Sequence, residues 1–414
     1  MTKQPSLRVQ RTSLLNIINS TGYALRKIKM DPFRINADAI IARAREKSGF
    51  KGSIPNAEEG LKVLVDSIAR DGKPNPFGAL AVKGLLDRLL YNRYMIEQEI
   101  ASNPWIVEQD IHEPVFIIGM PRTGTTVLHA ILHKDPAHRA PLAWECLLPY
   151  PAATPDTFTN NDQLRTIKKE FSQLFKLVPD FRKKHYMEAD APQECLGITA
   201  LDFNSFQFSA QLYLKSYMDW VSNDSDMLST MQFHKKFLQY IQSGGVKGER
   251  WLLKSPVHLR RLPEIFEVYP DARIIMTHRG PADIVSSTAS LISSVRTLYS
   301  DKEDPNVTGR EQADLWSDYF NRFIDSREKL DREDQIIDLK FEDFVMDQVG
   351  TIEKIYKRFG WELSEEVRQS FREFLRENPK DKHGKHEYSL KDFGLHEHEV
   401  NRQFSKYLEF YKQL

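Results

Sequence analysis

Apolar residues recur along this chain in two periods, and the switches between them mark the elements. Residues 115–118, Val-Phe-Ile-Ile, are four apolar residues in a row and predict a strand buried on both faces. Further short strand-like runs stand at 251–253, 273–277 and 336–339. Between and around them the period lengthens to that of a helix. Asn56 with Glu59 reads as a capping box opening a helix through Ile68, closed by Asp71-Gly72. Pro76 precedes a long segment carrying Leu80, Leu85, Leu86, Leu89, Leu90 and Ile96, ending near Asn103-Pro104. Helical spacing returns at 125–132, 262–269 and 282–291, and helices follow the last strand. Prolines 141, 149, 151 and 155 make 140–156 irregular, and 300–310 reads as an exposed loop.

Strands alternating with helices predict an α/β fold: a P-loop-like parallel sheet flanked by helices. A helical N-terminal extension (1–110) packs on a nucleotide-binding core (111–345), and C-terminal helices (346–414) complete the same domain. In such sheets ligands sit beyond the carboxyl ends of the strands. Polar clusters at Gly119, Lys254 and His278 each follow a strand, so the three are expected to meet in one crevice.

The loop after the first strand carries the chemistry. Gly119, Pro121 and Gly124 force a tight turn into the helix that starts at Thr125. Strand, glycine loop and helix N-terminus together make an anion site, because free N–H groups and the positive helix end point at one place. The glycine spacing is that of G-x-x-x-x-G-K-[ST], but Thr125 stands where the lysine belongs, and the cation comes earlier, at Arg122. A phosphate fits; a metal-bound triphosphate is not provided for. Further on, Arg279 ends a strand and Ser287 lies eight residues later in a helix. A guanidinium fork with a hydroxyl suits a phosphate monoester, although an arginine there also serves as a surface ion pair.

Composition narrows the classes. The 414 residues carry 58 basic and 58 acidic side chains, so no global field favours nucleic acid. Two cysteines, Cys146 and Cys195, argue against a disulfide scaffold and a cysteine-rich zinc site. No apolar run is long enough to cross a membrane, which makes a cytoplasmic protein the expectation. Lys3, Arg8, Arg11, Arg26, Lys27 and Lys29 all precede the first acid, Asp31, with Leu14, Leu15, Ile17 and Ile18 among them. That stretch reads as a solvated helix, with a surface-binding amphipathic helix or a transit-like segment as alternatives.

These motifs together resemble the sulfotransferases that use 3′-phosphoadenosine 5′-phosphosulfate (PAPS). The family's 5′-phosphosulfate loop, P-[KR]-[ST]-G-T-T, stands here as Pro121-Arg122-Thr123-Gly124-Thr125-Thr126. Its Arg followed eight residues later by Ser stands as Arg279 and Ser287, and its lysine strand as Leu253-Lys254-Ser255-Pro256. Arginine in the loop places the resemblance with the tyrosylprotein-type and bacterial branch. The resemblance implies sulfuryl transfer from PAPS to a hydroxyl of a small or lipophilic acceptor, in line and without a metal, leaving adenosine 3′,5′-bisphosphate. Arg122 and Thr123 to Thr126 would then bind the 5′ end, Arg279 and Ser287 the 3′-phosphate, and Arg122 and Lys254 the developing charge. Family habit also allows a homodimer.

The base is open between two residues. Glu145 lies on the irregular returning segment, where the arginine-loop branch carries a glutamate; by position alone it could equally be a cap or an ion pair. His258, four residues after Lys254, is the rival, since an imidazole titrates near neutrality. Aromatic residues between Phe203 and Trp220 suit either an acceptor pocket or ordinary core. His129, His133 and His138 lack a recognisable partner pattern, and no metal is expected. The basic turn 382–386 reads as a solvated charge run or a cofactor contact. Two rival functions remain: a P-loop kinase or NTPase, and an inactive nucleotide fold acting through interactions.

Overall fold

A computed structural model describes residues 11–28, 30–179, 187–379 and 389–414. Its sheet has five parallel strands in the order β2-β3-β1-β4-β5: β1 (Val115–Gly119), β2 (His138–Arg139), β3 (Arg250–Lys254), β4 (Arg273–His278) and β5 (Ile336–Lys340). The apolar run at 115–118 becomes the central strand, buried throughout. Alternate residues supply two cores, as the pleat requires. Phe116, Ile118, Leu253, Ile274 and Met276 face one layer of helices; Val115, Ile117, Leu252 and Ile275 face the other. β2 was not foreseen, because a two-residue strand has no period to read.

Helices α1 (Ser13–Lys27), α2 (Ala37–Ser48), α3 (Pro55–Ser67) and α4 (Pro76–Ser102) precede the sheet. Their apolar faces join the larger core: Ile40, Leu61, Leu86 and Leu90 lie in the same cluster as Phe116 and Tyr407. α4 is capped by Asn75, whose side chain accepts from Gly78 N–H. The capping box at Asn56 does not form. Pro55 already occupies the first turn of α3, and the Asn56 amide instead donates to Asp202 (2.6 Å) and Thr230 (3.1 Å).

Two further expectations change. Only the first part of 300–310 is loop; Pro305 opens a helix running to Leu330, with Asp304 as its N-cap. The segment 140–156 contains a short helix, α6 (Ala143–Leu147), after α5 (Thr125–Leu132). α7 (Asp162–Leu177) follows. The aromatic stretch after it breaks into two short helices, Gln207–Gln211 and Lys215–Asn223, and Phe203, Phe208 and Tyr217 are core. Among the described residues no helix is long and apolar enough to cross a membrane.

Candidate active site

The sheet register places the site. Gly119 stands level with Thr277, and Ile117 level with Lys254, so the loop after β1 opens between the ends of β3 and β4. A side chain at Gly119 is excluded: a Cβ would lie 2.2 Å from Thr277 Oγ1, and φ is +139°. Gly124, at φ +83°, is the N-cap of α5, and no side chain caps that helix. The first-turn N–H groups therefore face the loop's interior. Arg122 takes φ +71°, a left-handed conformation costing a non-glycine residue about 1–2 kcal/mol. Thr123 holds the loop down: its buried hydroxyl donates to Met120 O (2.7 Å) and lies 2.5 Å from Thr277 Oγ1. That hydroxyl thus serves the loop's own structure, whereas Thr126 is exposed.

Cations stand at or just beyond the strand ends around the loop. Arg122 Nε donates to Ser287 Oγ (3.0 Å), and Arg279 Nη1 donates to the Arg122 carbonyl (3.0 Å). Ser287 reaches this point because Gly280-Pro281 turns the chain into a helix, Pro281–Tyr299, whose second turn it occupies. The Arg279 guanidinium lies 4.5 Å from the Phe341 ring centre and pairs with exposed Asp283 (3.1 Å). Phe341, directly after β5, also backs Gly124, and Lys340 ends β5 level with His278. Neither was singled out from the sequence; position directly after a strand was the only signal. Lys254 is buried at the end of β3, where its Nζ contacts the carboxylate of half-buried Glu194.

The end of β4 is braced from behind. His278 Nε2 lies 2.8 Å from Asp338, which also accepts from Arg327 at 2.9 and 2.8 Å. Burial alone would raise the Asp338 pKa, but hydrogen bonds from His278 and Arg327 outweigh it and hold the carboxyl at about 2. Tyr407, from the last helix, accepts from Arg279 N–H (3.3 Å) and stacks on His278.

The two candidate bases are elsewhere engaged. Glu145 is buried, and Arg139 donates to both its oxygens, at 2.5 and 3.0 Å; Leu142 N–H donates a third bond at 3.0 Å. These are the contacts of a cap and an ion pair. Arg139 lies on β2, so the strand too short to foresee is what binds this carboxylate. His258 is buried on the 3₁₀ turn Pro256–Arg260, edge-on to Phe116, and burial drives its pKa well below the ordinary value. It is neutral and faces core.

The histidines weighed as ligands are not grouped. His129 donates to Leu252 O (3.2 Å) and His138 to Leu132 O (3.0 Å). A different trio, Cys195, His234 and His258, brings its donor atoms within 4.8 Å of one another, all buried. Burial raises the thiol to about 12 and lowers His234 to about 3, so the trio is neutral at pH 7. The basic turn 382–386 lies outside the described residues.

Known proteins share this fold. The sulfotransferase family model matches residues 114–365. The omega-hydroxy-beta-dihydromenaquinone-9 sulfotransferase Stf3 of Mycobacterium bovis is 23% identical over 281 residues, 67% of this chain and 68% of that protein. The crystal structure of sulfotransferase STF1 from Mycobacterium tuberculosis is 30% identical with a TM-score of 0.79, covering 90% of this chain and 99% of that one. Sulfotransferase STF9 from Mycobacterium avium gives 26% and 0.83, over 91% and 96% of the two chains. The match takes in the loop, the lysine strand and the Arg279/Ser287 pair, and on it this chain belongs to the sulfotransferase family.

Proposed function

We propose that the enzyme transfers the sulfuryl group of PAPS to a hydroxyl of a lipophilic acceptor. The observation that carries this reading is the meeting of Arg122, Arg279 and Ser287 at one point beside the loop. The loop N–H groups and Thr126 hold the 5′-phosphate, and Arg279 with Ser287 holds the 3′-phosphate. Arg122 and Lys254 stabilise the charge that grows on the sulfuryl and bridging oxygens. Removing such a group typically costs on the order of 10²–10³ in rate. A sulfuryl group carries less charge than a terminal phosphate, so side-chain cations suffice for a role that a metal fills in phosphoryl transfer.

The acceptor oxygen attacks sulfur in line, forming the sulfate-ester S–O bond as the S–O bond to the 5′-phosphate breaks. Glu194, rather than Glu145, takes the acceptor proton in this reading. Glu145 has no free oxygen, whereas Glu194 touches Lys254 and keeps an open side. When Lys254 turns to the leaving oxygen, the Glu194 carboxylate is released beside the incoming hydroxyl. A lipophilic acceptor is supported by Stf3, named for a hydroxylated menaquinone.

Thermal stability measured with adenosine 3′,5′-bisphosphate and, separately, with ATP and magnesium tests the reading. Ligand at ~100 times Kd stabilises the native state by about 2.7 kcal/mol. Stabilisation by bisphosphate is expected; stabilisation by ATP–magnesium alone would overturn it in favour of a kinase or NTPase.

A further inference from the structure

Helix α1 is fixed in rotation by what it buries. Leu15 packs with Val178, Leu298 and Met187, and the Asn19 side chain accepts from Phe77 N–H (2.9 Å). Gly22 sits so close to Pro76 that a Cβ would come within 2.3 Å of it. The opposite face must therefore look outward. On it stand Leu14, Ile17, Thr21, Ala24 and Ile28, spaced by three and four residues so that they form one exposed stripe. Leu14, Ile17 and Ile28 are 54%, 62% and 65% exposed, and Met30 follows at 60%. Of the eleven large apolar side chains exposed among the described residues, five lie between Leu14 and Met30. Such a concentration marks a contact surface.

The charge of the same stretch selects the contact. Six cations and no acid occur before Asp31. Arg11 is tied to Asp301 and Arg26 to Asp31, while Lys27 is exposed beside Ile28. An anionic bilayer supplies both the apolar depth and the opposite charge. Met187 packs against the same small cluster as Leu15, and the chain from there reaches Glu194 in seven residues, at most about 25 Å.

We propose that α1 lies in the headgroup region of an anionic membrane and holds the acceptor entrance against it. The contact itself does not depend on the catalytic reading; only its purpose rests on the lipophilic acceptor proposed above.

Sedimentation of the full chain with vesicles tests this. Binding to phosphatidylcholine–phosphatidylglycerol vesicles should exceed binding to phosphatidylcholine vesicles by at least ~10-fold and fall with salt. Leu14→Asp/Ile17→Asp, and Ile28→Asp as a second variant at the helix end, should each lose at least ~10-fold of that binding. Unchanged thermal midpoints and bisphosphate binding would show that the variants are folded. No binding to anionic vesicles, or equal binding by folded variants, overturns the proposal. A wild-type dimer in light scattering that the variants split overturns it in favour of a copy–copy interface. Failure of the wild type to bind bisphosphate strikes the catalytic reading alone.

Discussion

Arg122 Nε and Ser287 Oγ lie 3.0 Å apart although 165 positions separate them in the chain. The contact closes the cradle: it ties the loop after β1 to the helix after β4, while Arg279 bonds to the Arg122 carbonyl. A loop residue held at positive φ is thereby fixed by the end of β4 and the helix that follows it.

Arg279→Ala should weaken binding of adenosine 3′,5′-bisphosphate by about 10- to 100-fold, the loss of a charge-assisted fork. Binding of adenosine 5′-monophosphate should change much less. Calorimetric titration of both ligands decides, and equal losses would reject the 3′-phosphate role.

The two glutamates separate by readout. Glu194→Gln should lower kcat by on the order of 10²-fold or more and leave bisphosphate affinity nearly unchanged, with a stability loss smaller than that at Glu145 because Glu194 is half-exposed where Glu145 is buried. Glu145→Gln should instead lower stability by about 3 kcal/mol, since buried Arg139 loses its charged partner. Steady-state kinetics beside urea denaturation distinguishes the two, and the reverse pattern would restore Glu145 as the base.

Gly119→Ala should cost about 2–4 kcal/mol and abolish bisphosphate binding together. The new methyl group has Thr277 Oγ1 2.2 Å away and its carbonyl 2.7 Å away, in a backbone conformation that alanine resists. A variant of normal stability in urea would show that the loop relaxes more freely than the register of β1 and β4 suggests.

Stability should fall as pH drops below about 6.5. His129, His133, His138, His234, His258 and His278 all have lowered pKa values, with burial the largest cause in each. The unfolded chain therefore binds protons first, and stability rises with pH across that window. His133, held at about 4, accounts for on the order of 3 kcal/mol of the loss once the pH is below 4. Asp338, held at about 2, adds a further loss as pH falls from ~4 towards 2. Urea midpoints between pH 8 and 4 check this, and His133→Gln should flatten the slope.

What the sequence by itself determined is local. Four apolar residues in a row read as a buried strand, and glycines at 119 and 124 with Arg122 between them read as an anion loop without the P-loop lysine. Strand ends then placed Lys254 and Arg279 beside it, because parallel strands share a carboxyl edge. Which carboxylate lies beside Lys254 was a matter for the tertiary structure alone. Arg139 captures Glu145 through a strand of two residues, and Glu194 meets Lys254 across 60 positions. Likewise the period of α1 showed a helix, but only the burial of Leu15, Asn19 and Gly22 decided which face is left outward. Period and motif act between neighbours in sequence, whereas whether a charge or an apolar face is already satisfied depends on partners that only the folded chain brings near.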